Sequence, residues 1–149
     1  MDTTLDTTLT AQRTANLRRA LEVSILGDAT LLPALYTDDV RGWSPALTVS
    51  SRDELAAELA TRAYAFTDIV MSIDPVDITD GRGYAEWAFA ATHTGAFALD
   101  DNDVIDPTGR RVTLRGLTVA EFQGSRIKAF RQYWDEIALL EGLGLLPDD

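Results

Sequence analysis

Among the residues of this chain able to do chemistry, Asp135 has the most suggestive neighbours. It closes the run Arg131-Gln132-Tyr133-Trp134-Asp135, and an apolar helical turn, Ile137–Leu143, follows before Gly144 and Pro147. Side chains alternate along a regular strand, so Arg131, Tyr133 and Asp135 are expected on one face and Lys128, Phe130, Gln132 and Trp134 on the other. A carboxylate between apolar and cationic groups can move protons. At the start of a helical turn it can equally cap the turn. His93, the only histidine, is the one group whose ordinary pKa lies near neutrality. In Ala91-Thr92-His93-Thr94-Gly95 it reads as a strand-end histidine bonded to a carbonyl or solvent, or as a partner for a substrate oxygen or for Asp135. Tyr36, Trp43, Tyr84, Trp87 and Phe89 can line an aromatic pocket or simply build a core. Glu86 is a weaker carboxylate candidate, with Asp77 expected opposite it.

The composition narrows the chemistry. The 149 residues are 46% hydrophobic, enough for one domain, 1–149, with a core of its own. Cysteine is absent, so disulfides, thiolate nucleophiles and thiolate metal sites are excluded, and one histidine excludes a multi-histidine metal centre. An all-carboxylate site for a harder ion stays open. A net charge of −11, from 24 acidic and 13 basic residues, argues against nucleic acid and anionic membranes as partners. With neither a bilayer-length apolar run nor a basic-then-apolar leader, the plain reading is a cytoplasmic protein.

The elements that must position these groups follow in order. Met1–Leu9, a small Asp-Thr-Thr-Leu tandem, reads as a frayed leader. Thr10 can cap a helix over Ala11–Leu26 with Leu17, Leu21 and Ile25 on one stripe. A short helix is expected over Thr30–Tyr36 and a strand over Val40–Ser44. Ser51-Arg-Asp-Glu54 is a capping box opening a helix over Arg52–Phe66. Strands are expected over Ile69–Thr79, broken or bulged at Pro75, then over Tyr84–Gly95, Val112–Phe122 and Ile127–Asp135. A polar loop, Ala96–Arg111 with Asp100, Asp101, Asp103 and Asp106, is expected to cover a pocket mouth. Helices first and hairpins second make the class α+β.

A two-residue Gly124–Ser125 turn predicts the pairs Phe122–Ile127, Thr118–Arg131 and Gly116–Tyr133. Gly116 beside Tyr133 leaves room for a flat ligand or for the tyrosine ring. The opposite face, with Val119, Phe130 and Trp134, is then an apolar surface suited to a homodimer interface.

Several segments in this order resemble the SnoaL-like polyketide cyclases of the nuclear-transport-factor-two-like superfamily. They are Gly27-Asp28, Leu35–Val40, Thr92–Gly95, Pro107–Val112, Arg131–Asp135 and Leu143–Pro147. The resemblance spans about Ala20 to Pro147. It implies a cone-shaped, curved antiparallel sheet packed against N-terminal helices around an apolar pocket. It also implies a cofactor-free cyclase closing a ring by intramolecular aldol chemistry on a hydrophobic, polyketide-like substrate. In that scheme Asp135 is the acid/base, Arg131 keeps it ionised, and Tyr133 or His93 donates to the developing oxyanion. Tyr36, Trp43, Trp87, Phe89 and Gly116 are the expected substrate contacts. Epoxide opening or isomerisation in the same pocket is the alternative if Glu86 or Asp38 joins Asp135 inside. A non-catalytic binding or dimerisation module is the other, if Asp135 points outward or aromatic side chains fill the cavity.

Overall fold

The computed structural model describes residues 3–98 and 103–146, so the Asp100–Asp101 and Pro147 features named above lie outside it. A long helix, α1 (Thr3–Leu26), leads. A 3-10 turn (Ala29–Leu31), α2 (Leu32–Leu35), β1 (Tyr36–Ser44), β2 (Leu47–Val49) and α3 (Arg52–Arg62) come next. The remainder is β3 (Phe66–Thr79), β4 (Arg82–His93), β5 (Phe97–Ala98), β6 (Val104–Ile105), β7 (Arg111–Gln123), β8 (Arg126–Trp134) and α4 (Glu136–Gly142). Three expectations change. The helix reaches back to Thr3 through the stretch read as a frayed leader. Tyr36 opens a strand instead of closing a helix. The loop after β4 carries a small hairpin, β5 with β6.

Six strands form one sheet in the order β2-β1-β8-β7-β4-β3. All neighbours pair antiparallel except β1 and β8, which are parallel, so the sheet is mixed. α1 and α3 cover one face: Leu17 and Leu21 of α1 and Leu55 and Leu59 of α3 are buried against the sheet. The α1 stripe is held in register by bonds to the β7–β8 turn, from Arg13 Nε to the Gly124 carbonyl at 2.8 Å and from Asn16 Nδ2 to the Ser125 carbonyl at 2.6 Å. α3 starts at the anticipated box. Ser51 Oγ accepts from the Glu54 amide at 3.0 Å, and Glu54 Oε2 accepts from the Ser50 amide at 2.7 Å. Each such cap is worth about 1 kcal/mol.

The bends of the sheet decide which side chains face the helices. β3 shifts register between Thr67 and Val70, and again between Ile73 and Val76 around Pro75. β8 carries a one-residue bulge. Phe122 pairs with Ile127 as the turn predicts, but Glu121 pairs with Ala129, so Lys128 is extra. An extra residue bends the strand and reverses the facing of everything beyond it. The predicted pairs therefore move by one: Thr118 lies opposite Gln132 and Gly116 opposite Trp134.

Candidate functional site

That reversal turns Phe130, Gln132 and Trp134 to the inner face and sends Arg131, Tyr133 and Asp135 outward. Beneath the helices the inner face walls a cavity of about 130 Å³. Leu21 and Ile25 of α1 and Leu55 and Leu59 of α3 form its roof, Trp87, Phe89, Leu114 and Phe130 its floor. Phe97, from the loop after β4, closes one side, as a mouth-covering loop should. The polar groups on this apolar lining are Ser24, Ser44, Arg62 and Gln132.

A second, outer hollow of about 650 Å³ is lined by Trp43, Pro45, Thr48, Glu58, Thr61 and Val104. Ser44, Ala46, Leu47 and Arg62 belong to both linings, so the two spaces share a wall. Arg62 dominates that wall. Its Nη1 meets Glu58 Oε2 at 3.1 Å, its Nη2 donates to the Ala46 carbonyl at 3.0 Å, and its guanidinium lies 5.8 Å from the centre of the Phe97 ring. Glu58 and Arg62 are one helical turn apart on α3, which is why both reach the same opening.

The predicted site residues separate into two groups. Trp87 and Phe89 line the cavity as expected, stacked with ring centres 6.0 Å apart, and they wall it without filling it. Gly116 lies under Trp87: a Cβ there would come within 2.2 Å of Trp87 Cζ2. The room it leaves is occupied by the indole, which donates from Nε1 to Thr118 Oγ1 at 3.0 Å, and not by a ligand or Tyr133. Tyr36 is core, edge-on to Phe130 at 5.9 Å. Burial pushes its phenol well above the ordinary value, only partly offset by a hydrogen bond with Ser24.

The expected catalytic group does not assemble. Asp135 is exposed, and its Oδ1 accepts from the amides of Ile137 at 2.9 Å and Ala138 at 3.3 Å. It is the N-cap of α4. Arg131 pairs with Glu121 Oε2 at 3.1 Å on the outer face, where Arg82 approaches the same carboxylate at 3.7 Å. Tyr133 is 47% exposed and packs on Trp43 with ring centres 5.4 Å apart. Glu86 and Asp38 are exposed as well, and Asp77 faces Tyr84 rather than Glu86. For Arg131, Tyr133 and Asp135 the cause is the single bulge at Lys128, for which β8 carries no glycine or proline as a marker.

His93 is fully buried behind Phe66, the ring centres 5.7 Å apart, and is not among the cavity's lining residues. Its Nδ1 accepts from the Thr108 amide at 3.2 Å and lies 3.0 Å from Thr108 Oγ1, while its backbone exchanges 2.8 Å bonds with Gly109 and Arg110. It clamps the returning loop to the end of β4. Nε2 is buried with no partner among the described residues. Burial lowers the imidazole pKa, against a smaller opposing effect of the Gly95 backbone.

Gln132 and Arg62 were not singled out by sequence. Arg62 had a signal, a Glu58–Arg62 spacing of four on a helix. Gln132 had one too: Ile127 and Phe130, large and apolar, are three apart, which strict alternation cannot bury on one face.

An α+β cone with helices over a curved sheet and an apolar, polar-mouthed cavity is the architecture of a small-molecule site. The family model for SnoaL-like polyketide cyclase matches residues 15–143, and the chain belongs to that family. Among solved structures it is similar to AclR of Streptomyces galilaeus, at 23% identity and TM-score 0.72 over 93% of this chain and 89% of that one. It is similar also to a LEH-like epoxide hydrolase of M. tuberculosis, at 17% identity and TM-score 0.66 over 90% of each chain. TsrD of Streptomyces laurentii gives 17% identity and TM-score 0.70 over 98% and 99%. Identities this low establish a common fold. None of the curated proteins compared matches the sequence. No helix of the described residues is long and apolar enough to cross a membrane.

Proposed function

We propose that this protein is a cofactor-free cyclase that closes a ring by aldol chemistry on a hydrophobic, oxygen-bearing small molecule. The observation that carries this reading is the shared wall between a small apolar cavity and a larger, half-polar hollow, with Arg62 in that wall and its partner Glu58 on the outer side. Size decides how a substrate lies. A dry cavity of roughly 150 Å³ takes one benzene ring, so a cavity of about 130 Å³ holds one ring and little more. The rest of a polyketide-sized molecule extends past Arg62 into the outer hollow, which places its reacting carbons at the wall.

Glu58 is a carboxylate of the outer lining and is paired with Arg62. In the proposed reaction it removes a proton alpha to a carbonyl, and Arg62 offsets the charge of the enolate. The enolate carbon bonds to a second carbonyl carbon of the same molecule. The alkoxide formed recovers the proton from Glu58, so nothing is consumed and no group leaves. Most of the acceleration comes from holding the chain folded back on itself. Asp135 keeps its cap and takes no part; its outward position taken alone favours the non-catalytic module, and the Glu58–Arg62 pair beside the cavity is what supports an enzyme. Epoxide opening is less well supported, because Glu86 and Asp38, the carboxylates it was expected to use, are exposed.

The test is ring closure of an aryl 1,5-diketone to its 3-hydroxycyclohexanone, the product of the step above, followed by chromatography. Glu58→Gln should lower kcat at least a hundredfold, while Asp135→Asn should stay within about threefold of the parent. The opposite pattern would return the acid/base role to Asp135.

Association of two copies through the outer sheet face belongs to the same proposal. Trp43, Arg131, Val119 and Tyr84 form one cross-strand row there, with Trp43 44% and Tyr84 38% exposed and Tyr133 alongside. Tyr133→Glu should convert a dimer to a monomer in light scattering; a monomeric parent would refute the interface.

A further inference from the structure

We infer that Gln132 is the residue that selects substrates carrying an oxygen, carbonyl or enol, immediately beyond the ring held in the cavity. The inference rests on the cavity being the substrate site and adds the chemical feature that the site reads. Phe130, Gln132 and Trp134 present successive inward side chains of β8, so a primary amide stands between two aromatic walls. Among the described residues that amide has no hydrogen-bond partner. It is half-buried and opens onto the cavity. Across the sheet on one side its neighbour is Thr118, whose oxygen already accepts from Trp87 Nε1.

On the other side the parallel register, Gly42 with Phe130 and Trp43 with Arg131, brings Ser44 next to Gln132. Ser44 lies in the wall common to both hollows, so this is the level at which a bound ring ends and the rest of the molecule begins. Ser44 Oγ accepts from the amides of Ala46 at 3.1 Å and Leu47 at 3.2 Å, which leaves its O–H as a donor. Two donors thus stand on adjacent strands in a mostly apolar lining whose other polar groups are Ser24 and Arg62. The amide N–H of Gln132 and the hydroxyl of Ser44 suit a carbonyl oxygen, and the amide oxygen of Gln132 suits an enol or hydroxyl hydrogen.

A site that holds polar groups in an apolar wall rejects ligands that leave them unpaired far more strongly than a purely apolar site rejects a misfit. Gln132 therefore contributes discrimination, and it does so at the expense of the unliganded fold. Replacing it with an apolar residue of similar size should raise the melting temperature while weakening oxygenated ligands, a pair of effects that a merely structural glutamine would not produce.

The experiment uses acetophenone and its hydrocarbon isostere, α-methylstyrene, titrated calorimetrically against the parent, Gln132→Leu and Gln132→Met. Once each affinity is corrected for the probe's transfer from water to alkane, the parent should hold acetophenone the tighter. Either variant should shift the acetophenone-to-styrene affinity ratio at least tenfold toward the hydrocarbon. Both probes binding with a ratio that the variants leave unchanged would overturn the role of Gln132 and spare the cavity. Binding of neither probe by the parent would overturn the cavity reading and this inference together. If neither variant folds, the corrected preference of the parent decides alone, and a preference for the hydrocarbon refutes the assignment.

Discussion

Trp87 lies across Gly116 so closely that a methyl group on the glycine would meet the indole at 2.2 Å. The contact sets the floor of the cavity, because the indole can lie flat only where the neighbouring strand has no side chain. Gly116→Ala must lift the ring and break its bond to Thr118. Overpacking of this kind costs about 1–3 kcal/mol. Urea unfolding should show a loss in that range, and acetophenone binding should weaken with it. An unaltered midpoint would mean that the ring has somewhere else to go.

Asp135 is predicted to matter to stability more than to turnover. Its side chain accepts from the free amides of the second and third residues of α4, Ile137 and Ala138. Asp135→Ala should cost about 1 kcal/mol, and Asp135→Ser, which restores an acceptor, should recover most of it. Chemical denaturation of the three proteins checks the order.

His93 makes stability depend on pH. Its folded pKa lies below the ordinary 6.5, so as pH falls the unfolded chain takes up the proton first. Its contribution is intact above about pH 6.5 and is lost as pH drops toward the folded value. The urea midpoint should therefore fall between pH 7.5 and 5.5. His93→Gln, which has no such proton to bind, should flatten that slope.

Arg62 ties α3 to the Ala46 carbonyl and to Phe97 through a planar, many-donor group. Arg62→Lys keeps the charge and loses the fork and the stacking surface. KM for the aryl diketone should rise about tenfold, with a smaller change in kcat, since the wall that positions the substrate loosens. Steady-state kinetics separates the two.

Much of the fold was legible because it follows from local rules. Ser51 with Glu54 announced α3, and Leu17, Leu21, Leu55 and Leu59 announced the stripes that the two main helices bury. Gly124 and Ser125 set the β7–β8 turn, and Pro75 marked a break in β3. The family resemblance was legible for the same reason, since it rests on the order of short segments. The parallel pairing of β1 with β8 was not, because it joins residues nearly a hundred positions apart and no local pattern encodes it.

The site shows where local rules stop. By itself the sequence determined that one strand would end in an aromatic run with a carboxylate after it, and that the run would have two unlike faces. Which face looks inward was settled by one surplus residue, Lys128, added where β8 must bend to follow the curved sheet. With side chains repeating every two residues, that addition exchanged Asp135, Tyr133 and Arg131 for Trp134, Gln132 and Phe130 on the cavity wall. Curvature belongs to the whole sheet and to the helices packed on it. Only the assembled structure could choose the face.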